Sequence, residues 1–532
     1  MKIAVEGCAH GELEKIYESI EFLEKKGGFK VDLLICCGDF QATRNVEDLK
    51  SLAAPPKYRE LCTFYKYYSG EKTAPVLTIF IGGNHEASNY LQELPYGGWV
   101  APNIYYLGNA GIINVAGIRI GGISGIFKER DYHKGRFEKP PYTEQSKRSV
   151  YHIRNLDVFR FKQVNSSIDI FISHDWPRGI HKYGNYHQLL KLKPFFSEDI
   201  NENKLGSPPC EDLLYLLKPT YWFAAHMHCK FVGIVPHKDD QRVTKFLALD
   251  KCLPKRKFLQ IISVDHDTEK PIEIKYDLEW LCILHYTNHL ISIESSMVYM
   301  PGPGCDERWI FTPTEDEQEF ILEKMGGDLR VPLNFAPTAP TQDELHSTPK
   351  KSRSTAPILN SQTVEFCEKL GIDDPLALLL EKTNSLNYAT QTLNNSSPAQ
   401  NTSENSISAS FVDSEVSGIL SGSDDLEASA GVGDSDKETA VPSPVPKSRL
   451  SMTLPPPKFS PSSREDSSFE ITNSDPPSGE DSPLFIIDEG PKRSVSNDEE
   501  LQEDHPEKET TIQGIKKFKR RNEIIYKQTA DD

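Results

Sequence analysis

Short apolar runs separated by polar turns recur along the first half of the chain and predict buried strands. These runs carry few charged residues, as is typical of strands covered on both faces. The predicted strands are Lys2–Val5, Val31–Cys36, Val76–Ile81, Ile118–Ile123, Ile168–Ile172 and Tyr221–Ala225.

Two intervening segments are predicted to be helical. Between Leu13 and Lys25, the apolar residues Ile16, Ile20 and Leu23 recur at helical spacing with polar residues between them. The segment Leu61–Tyr68 is the second predicted helix. Alternation of strands with helices, followed by strand-rich segments, indicates an α/β or α+β fold built in layers.

Composition divides the chain near residue 340. Apolar runs and aromatic residues are frequent before this point, whereas Thr341–Glu509 is mostly Ser, Thr, Pro, Asp and Glu. Such a segment buries too little apolar area to offset its chain entropy, so we predict a long disordered acidic tail. A short helix within Thr363–Leu380 is the predicted exception. Catalysis in vitro is expected to survive removal of everything beyond about residue 341.

The net charge and the cysteine spacing limit the functional classes and cellular compartments that fit this protein. A formal charge of −18 over 532 residues excludes a surface that is basic throughout, so any contact with nucleic acid is expected to be local. The sequence shows neither a secretory leader nor a long apolar run, and we expect no membrane contact. The ten cysteines lack CxxC pairs, which favours reduced thiols in a cytosolic or nuclear protein.

Polar clusters follow the predicted strands at their carboxyl ends. The most prominent is Gly82-Gly83-Asn84-His85-Glu86, which follows the strand that ends at Ile81. Sites in layered α/β folds form at such strand ends. Taken singly, each cluster is more often a structural turn than a ligand, but all of them together favour a metal site. The candidate residues are Cys8, His10, Asp39, Asn84, His85, His174, His226 and His228.

A basic and aromatic segment stands out in this acidic chain. Between Phe127 and Arg154, lysines and arginines alternate with phenylalanines and tyrosines. Cations pair with phosphates while aromatic faces stack on unpaired bases, so the pattern favours single-stranded RNA; the alternative is an ordinary solvated loop. The candidate RNA-binding residues are Phe127, Lys128, Arg130, Tyr132, His133, Lys134, Arg136, Phe137, Tyr142 and Arg148.

Gly38-Asp39, Gly83-Asn84-His85-Glu86, His174 and Ala225-His226-Met227-His228 together resemble the signature of the calcineurin-like metallophosphoesterases. Cys8-Ala9-His10, where that family usually has Asp-x-His, resembles one branch, the RNA lariat debranching enzymes. Leu94–Trp99 and Ser124–Phe127 carry the same resemblance.

The resemblance implies a double β-sandwich flanked by helices, and with it a domain organisation. A catalytic domain would span residues 1–253, with a lariat recognition loop at 124–154. A small C-terminal subdomain would follow at 254–340, and the disordered tail would occupy 341–532.

The resemblance also implies an activity: hydrolysis of the 2′,5′-phosphodiester branch of intron lariats by metal-bound hydroxide. Cys8, His10, Asp39 and His228 would line one metal pocket. Asp39, Asn84, His174 and His226 would line a second. His85 would be the general acid that protonates the departing 2′-oxygen.

One or two divalent ions are implied, and the thiol of Cys8 favours Fe²⁺ or Zn²⁺, with Mn²⁺ as an alternative. The expected partner is branched intron lariat RNA, no obligate protein partner follows from the sequence, and we expect a monomer. Two rival functions stay open: an inactive binding scaffold on the same fold, and a phosphomonoesterase or protein phosphatase.

A basic cluster near the C-terminus suggests where the protein acts. Short Lys/Arg runs serve as nuclear import signals or nucleic-acid contacts and are also common as plain solvated tails. Because a 60.0 kDa chain is too large to rely on passive entry, we expect a nuclear protein, with shuttling to the cytoplasm left open. The candidate import residues are Lys516, Lys517, Lys519, Arg520 and Arg521.

Overall fold

The computed structural model describes residues 1–238, 241–347 and 357–384. Two β-sheets lie face to face in this part of the chain and helices cover their outer surfaces. The strands are β1 (Lys2–Glu6), β2 (Leu33–Cys36), β3 (Leu77–Phe80), β4 (Gly98–Ala101), β5 (Ile104–Tyr106), β6 (Ala110–Val115), β7 (Ile118–Ile123), β8 (Ile170–Ser173), β9 (Tyr221–Ala224), β10 (Phe231–Pro236), β11 (Val243–Ala248), β12 (Leu259–Ser263) and β13 (Ile274–Tyr276).

The α-helices lie mainly in the connections between strands. They are α1 (Leu13–Gly27), α2 (Tyr65–Tyr68), α3 (Ser88–Leu91), α4 (Glu129–Tyr132), α5 (Ser146–Ser149), α6 (Asn155–Phe161), α7 (Tyr186–Leu192), α8 (Phe196–Asn201), α9 (Pro208–Leu217), α10 (Leu278–Tyr286), α11 (Glu315–Lys324), α12 (Gln342–Ser347) and α13 (Ser361–Leu370). Residues 375–384 are also helical. Within the described residues, no helix combines the length and apolar character that crossing a membrane requires.

In the first sheet, the order of strands is β12-β1-β2-β3-β5-β4. Strands β1, β2, β3 and β5 are parallel, so their carboxyl ends share one edge. The second sheet has the order β10-β11-β9-β8-β7-β6-β13, with β7, β8, β9 and β11 parallel. The predicted strands and their shared edge are therefore confirmed.

The two sheets bury an aliphatic layer between them. Ile3, Ile35, Ile79, Ile120 and Ile172 are fully buried there, which explains the near-continuous apolar runs in the sequence. Gly122 in β7 allows the sheets to approach closely, because a Cβ at this position would lie 2.7 Å from a methyl carbon of Leu107. The predicted double β-sandwich flanked by helices is the observed fold.

The predicted helix Leu61–Tyr68 is shorter than expected, since only Tyr65–Tyr68 is helical. The residues before it bind the loop that follows β1 instead. Thr63 donates its backbone N–H and its hydroxyl to the Gly11 carbonyl, at 3.0 and 2.8 Å. Cys62 has a left-handed φ of 53°, so a right-handed helix cannot include this residue.

The predicted start of the disordered tail at residue 341 is wrong. Helix α13 binds the catalytic domain, because the Gln362 side chain accepts from the Trp99 N–H at 2.8 Å and donates to the Trp99 carbonyl at 2.9 Å. The Thr363 hydroxyl donates to the Glu93 carbonyl at 2.6 Å, and Leu370 is fully buried. The predicted helix within Thr363–Leu380 is observed as α13 and the helix at 375–384. Helical structure is therefore present as far along the described residues as residue 384.

Candidate metal centre

Loops after five parallel strands bring the predicted ligands to one edge of the sandwich. Cys8 and His10 follow β1, Asp39 follows β2, and Asn84 follows β3. The loops after β8 and β9 in the second sheet supply His174, His226 and His228. All seven predicted ligands are buried or half-buried. The site therefore lies between the carboxyl ends of the two sheets, where the sequence predicted it.

The first cluster consists of Cys8, His10, Asp39 and His228, whose ligand atoms all lie within 4.8 Å of one another. Three buried atoms here have no hydrogen-bond partner: His10 Nε2, Asp39 Oδ2 and His228 Nε2. Leaving such atoms unpaired is costly, and with the Cys8 thiol they offer nitrogen, oxygen and sulfur donors to a divalent cation. The four residues fit a metal ion.

Burial keeps both histidines of this cluster neutral. It lowers the pKa of His10 to about 4, although Asp39 opposes the shift. It lowers the pKa of His228 to about 2, with Lys251 adding to the effect. A neutral imidazole offers a lone pair, so both rings are in the form that binds a metal at neutral pH.

The second cluster surrounds His174. Its Nε2 lies 3.2 Å from Asp39 Oδ1 and 3.2 Å from Asn84 Oδ1. Its Nδ1 donates to the Cys37 carbonyl at 2.8 Å, which leaves Nε2 as the ligand atom. The ring centroids of His174 and His226 are 5.0 Å apart. Asp39 and Asn84, two of the residues predicted for the second pocket, therefore lie next to His174, and His226 lies beside the same ring.

Asp39 lies between the two clusters. Its Oδ1 faces His174, and its Oδ2 is 3.6 Å from His10 Nε2. The surrounding histidines hold the pKa of this carboxyl well below its usual range despite complete burial. An ionised carboxylate with one oxygen toward each cluster has the arrangement of a bridging ligand.

Strained backbone aims several of these side chains. His10, Asp39, His226 and His228 have φ values of 44°, 45°, 58° and 49°, in the left-handed region that non-glycine residues rarely adopt. Such strain persists only where the surroundings impose it and is concentrated at functional sites.

Gly83 allows the loop after β3 to reach this centre. A Cβ at this position would lie 2.3 Å from Asp39 Oδ1 and 2.8 Å from His174 Cε1. Only glycine fits so close to two ligands, so the Gly-Asn-His motif brings Asn84 and His85 to the metal centre.

Glu86 holds two ligand loops together, a role that the sequence did not predict. Its carboxylate accepts the backbone N–H groups of Phe40, Gln41 and Gly83 at 2.7, 2.8 and 2.8 Å. Burial and the neighbouring Asp39 raise the pKa of Glu86 to about 8. The sequence signal that could have indicated this role is the position of Glu86 at the end of the Gly82–Glu86 motif.

Asp175 is a second residue that the candidate set missed. One of its oxygens lies 4.0 Å from His226 Nε2, and the other accepts the Phe127 N–H at 2.9 Å. It therefore connects the ligand loop after β8 to the start of the basic segment.

His85 is placed differently from its neighbour Asn84. Its backbone N–H donates to Asp39 Oδ1 at 2.8 Å, while its ring lies 5.6 Å from the ring of His10, centroid to centroid. The imidazole is half-buried and is not a member of the first cluster. His85 thus faces the metal centre without being one of the clustered ligands.

Ion pairs hold the basic segment in place, which the sequence did not predict. Lys134 pairs with Asp131 at 2.8 Å and Arg136 pairs with Asp157 at 2.5 Å. Arg154 is buried and pairs with Glu138 at 2.6 Å. These cations stabilise the loop, because a buried charge needs a partner.

Other members of the segment remain accessible. Arg130 and Arg148 are exposed, although Arg130 also lies 3.4 Å from Asp131. Phe127 and Tyr132 are half-buried and in edge-to-face contact at 5.4 Å. The ring of His133 lies 4.9 Å from that of Tyr299. Lys128, Phe137 and Tyr142 are half-buried. The candidate import residues at 516–521 lie outside the described residues.

Comparisons with known proteins agree with this geometry. A family model described as calcineurin-like phosphoesterase matches residues 1–230, and one described as lariat debranching enzyme, C-terminal domain, matches residues 241–375. A lariat debranching enzyme of Drosophila melanogaster is 55% identical, covering 71% of this chain and 79% of its own length.

Similar proteins also occur in a vertebrate and in a plant. A lariat debranching enzyme of Homo sapiens is 56% identical, with 70% of each chain covered. One of Arabidopsis thaliana is 48% identical and covers 70% of this chain and 86% of its own length.

Proposed function

The chain belongs to the lariat debranching enzyme family, and on that premise we propose that it hydrolyses the 2′,5′-phosphodiester bond of branched intron RNA. The observation that carries the proposal is a pair of ligand clusters sharing the ionised carboxylate of Asp39, with three buried ligand atoms left without a hydrogen-bond partner. Hydrolysis would leave a 5′-phosphate on the released strand and a 2′-hydroxyl at the branch.

Each of the two clusters would hold one divalent metal ion. Cys8, His10, Asp39 and His228 would hold one divalent ion, and Asp39, Asn84, His174 and His226 a second. When bound, such an ion lowers the pKa of water and neutralises charge on the phosphoryl group.

The identity of the metal would depend on Cys8. Burial raises the pKa of this thiol well above its usual value, with Asp39 adding to the effect, so the thiol is protonated until a metal displaces the proton. A sulfur ligand favours Fe²⁺ or Zn²⁺, whereas Mn²⁺ prefers oxygen. We therefore expect Fe²⁺ or Zn²⁺ in the Cys8 pocket.

His85 would act as the general acid. Its main-chain N–H is tied to Asp39 while its ring stands clear of the first cluster. An imidazole in this position can give a proton to the 2′-oxygen as the bond to phosphorus breaks. Glu86 would position it, because the three backbone N–H groups that Glu86 accepts lie in the two loops around Asp39 and His85.

RNA would contact the accessible part of the basic segment. Arg130 and Arg148 are exposed and suited to phosphates, and the Phe127–Tyr132 pair offers aromatic surface to an unpaired base. The ion-paired Lys134 and Arg136 would instead keep the loop in place.

The test compares two RNAs of the same sequence, one branched through a 2′,5′ bond and one linear. The metal-loaded enzyme should cleave the branched RNA and leave the linear RNA intact, and a chelator should abolish cleavage until metal is restored. Equal cleavage of both RNAs would contradict the specificity. A protein that binds metal and branched RNA but never cleaves would be a scaffold, and preference for a phosphomonoester would make it a phosphatase.

A further inference from the structure

A second groove adjoins the metal centre beside His228. It has a volume of about 630 Å³, against about 40 and 50 Å³ for two other cavities at the base of the recognition loop. Residues of α7, of the loop after it, of the start of β10 and of the connection between β11 and β12 line the groove, and none of them belongs to segment 124–154. A ligand in this groove would therefore reach the metal centre at His228 without contacting the basic segment.

The lining of the groove is strongly cationic. Five lining residues carry a positive charge and one, Asp250, carries a negative charge. Asp250 already pairs with Arg256 at 3.0 Å. In the described part of the chain, Lys193, Lys255 and Lys257 have no carboxylate partner within ion-pair distance. In a protein with a formal charge of −18, such a local cationic surface favours the binding of a polyanion.

Exposed apolar side chains lie beside these cations. Phe195 is 59% exposed and Leu192 is 56% exposed, so both present apolar surface to solvent next to the lysines. The Lys193 ammonium lies 5.7 Å from the centroid of the Phe195 ring. Cations next to an exposed aromatic ring are the combination that holds single-stranded nucleic acid, through phosphate contacts and base stacking.

A branch nucleotide carries three RNA arms, so one binding loop cannot hold the whole substrate. We propose that this groove binds one single-stranded arm of the branched RNA as it leaves the metal centre. The inference rests on the proposed function and adds to it a second binding surface. Lys193, Lys255 and Lys257 would contact the phosphates of the arm, and Phe195 would stack on a base.

The experiment reverses the three free charges in a Lys193→Glu, Lys255→Glu, Lys257→Glu variant. Branched RNAs with arms of about ten nucleotides should show a KM raised roughly tenfold or more. The slope of log KM against log salt should fall by about two, since each phosphate contact on a single strand contributes about 0.7. A branched trinucleotide, too short to reach along the groove, should show a much smaller change. Phe195→Ala should raise the KM for the long arms about tenfold without changing the salt slope.

A matched control carries Lys26→Glu, Lys270→Glu and Lys369→Glu, which change the net charge equally. These three lysines are exposed and do not line the groove. Equal KM increases in the groove and control variants would overturn the proposal, as would equal loss on long and short substrates. Thermal melting of each variant identifies any loss of folding, and Lys→Gln versions then repeat the comparison.

If the wild-type enzyme cleaves no branched RNA, the proposed function fails and the groove is tested by binding alone. Fluorescence anisotropy with a ten-nucleotide single-stranded RNA should then show weaker binding by the groove variant than by the control. Equal binding by both, or preference for an acidic peptide over RNA, would overturn the proposal.

Discussion

Asp39 is the residue on which both halves of the metal centre depend. It is fully buried, ionised and in contact with His10 on one side and His174 on the other. Gly83 and Glu86 position the neighbouring loop against it. The candidate ligands and their order could be predicted from the sequence, because each of them lies in a short polar motif directly after a strand. The left-handed backbone of His10, Asp39, His226 and His228 could not, since long-range contacts impose it.

His85→Ala tests the division of roles between neighbouring residues. We expect metal content and RNA binding to stay unchanged while turnover falls by roughly two to four powers of ten, the usual range for a lost general acid. Asn84→Ala is the control and should lose bound metal. A loss of metal in His85→Ala as large as in Asn84→Ala would show that His85 is a ligand.

Cys8→Asp tests the sulfur ligand. Replacing thiol by carboxylate should shift the metal preference in turnover from Fe²⁺ or Zn²⁺ toward Mn²⁺, because oxygen is the harder donor. Activity titrations with each metal on both proteins provide the measurement. Identical preferences would mean that the thiol does not bind the metal.

At the scale of elements, the buried strands were predictable because they are apolar on both faces, whereas their arrangement as a double β-sandwich followed from the family resemblance. The helix in the segment after residue 341 was predicted, but its attachment to the catalytic domain was not, since that depends on specific bonds from Gln362 and Thr363. The basic segment was misread in a related way. Its composition suggested accessible cations, but Lys134 and Arg154 are ion-paired within the segment and Arg136 is paired with Asp157 of α6.

Two truncations test the corrected boundary. A chain ending at Asn384 keeps α13 and should retain full activity and thermal stability. A chain ending at Pro340 loses the buried Leu370 and the bonds to Trp99 and Glu93, so its melting temperature and activity should both fall. Leu370→Ala in the full chain should destabilise by about 2–5 kcal/mol, the usual cost of emptying a buried site. Equal stability of both truncated chains would contradict this account.

At the scale of the whole molecule, the chain is acidic overall but carries two local cationic surfaces. The basic segment and the groove beside His228 both adjoin the metal centre, through Asp175 and through the β10 edge. This distribution favours local contact with a branched polyanion over general binding of nucleic acid.

The basic cluster at 516–521 leads to a prediction about location. We propose that it directs the protein to the nucleus, where introns are removed. Changing Lys516, Lys517, Lys519, Arg520 and Arg521 to Ala should reduce nuclear accumulation, measured by imaging a tagged chain, without changing activity in vitro. Unchanged accumulation would place the import signal elsewhere.

The most direct test of the central claim follows the oxygen atom that water contributes. Metal-loaded enzyme is incubated with branched RNA in ¹⁸O-water for a single turnover, and the products are analysed by mass spectrometry. Hydrolysis at the 2′,5′ bond with His85 protonating the departing oxygen predicts the label in the 5′-phosphate of the released strand and none in the 2′-hydroxyl of the branch. Label in the 2′-hydroxyl, or cleavage at a 3′,5′ bond, would contradict the account.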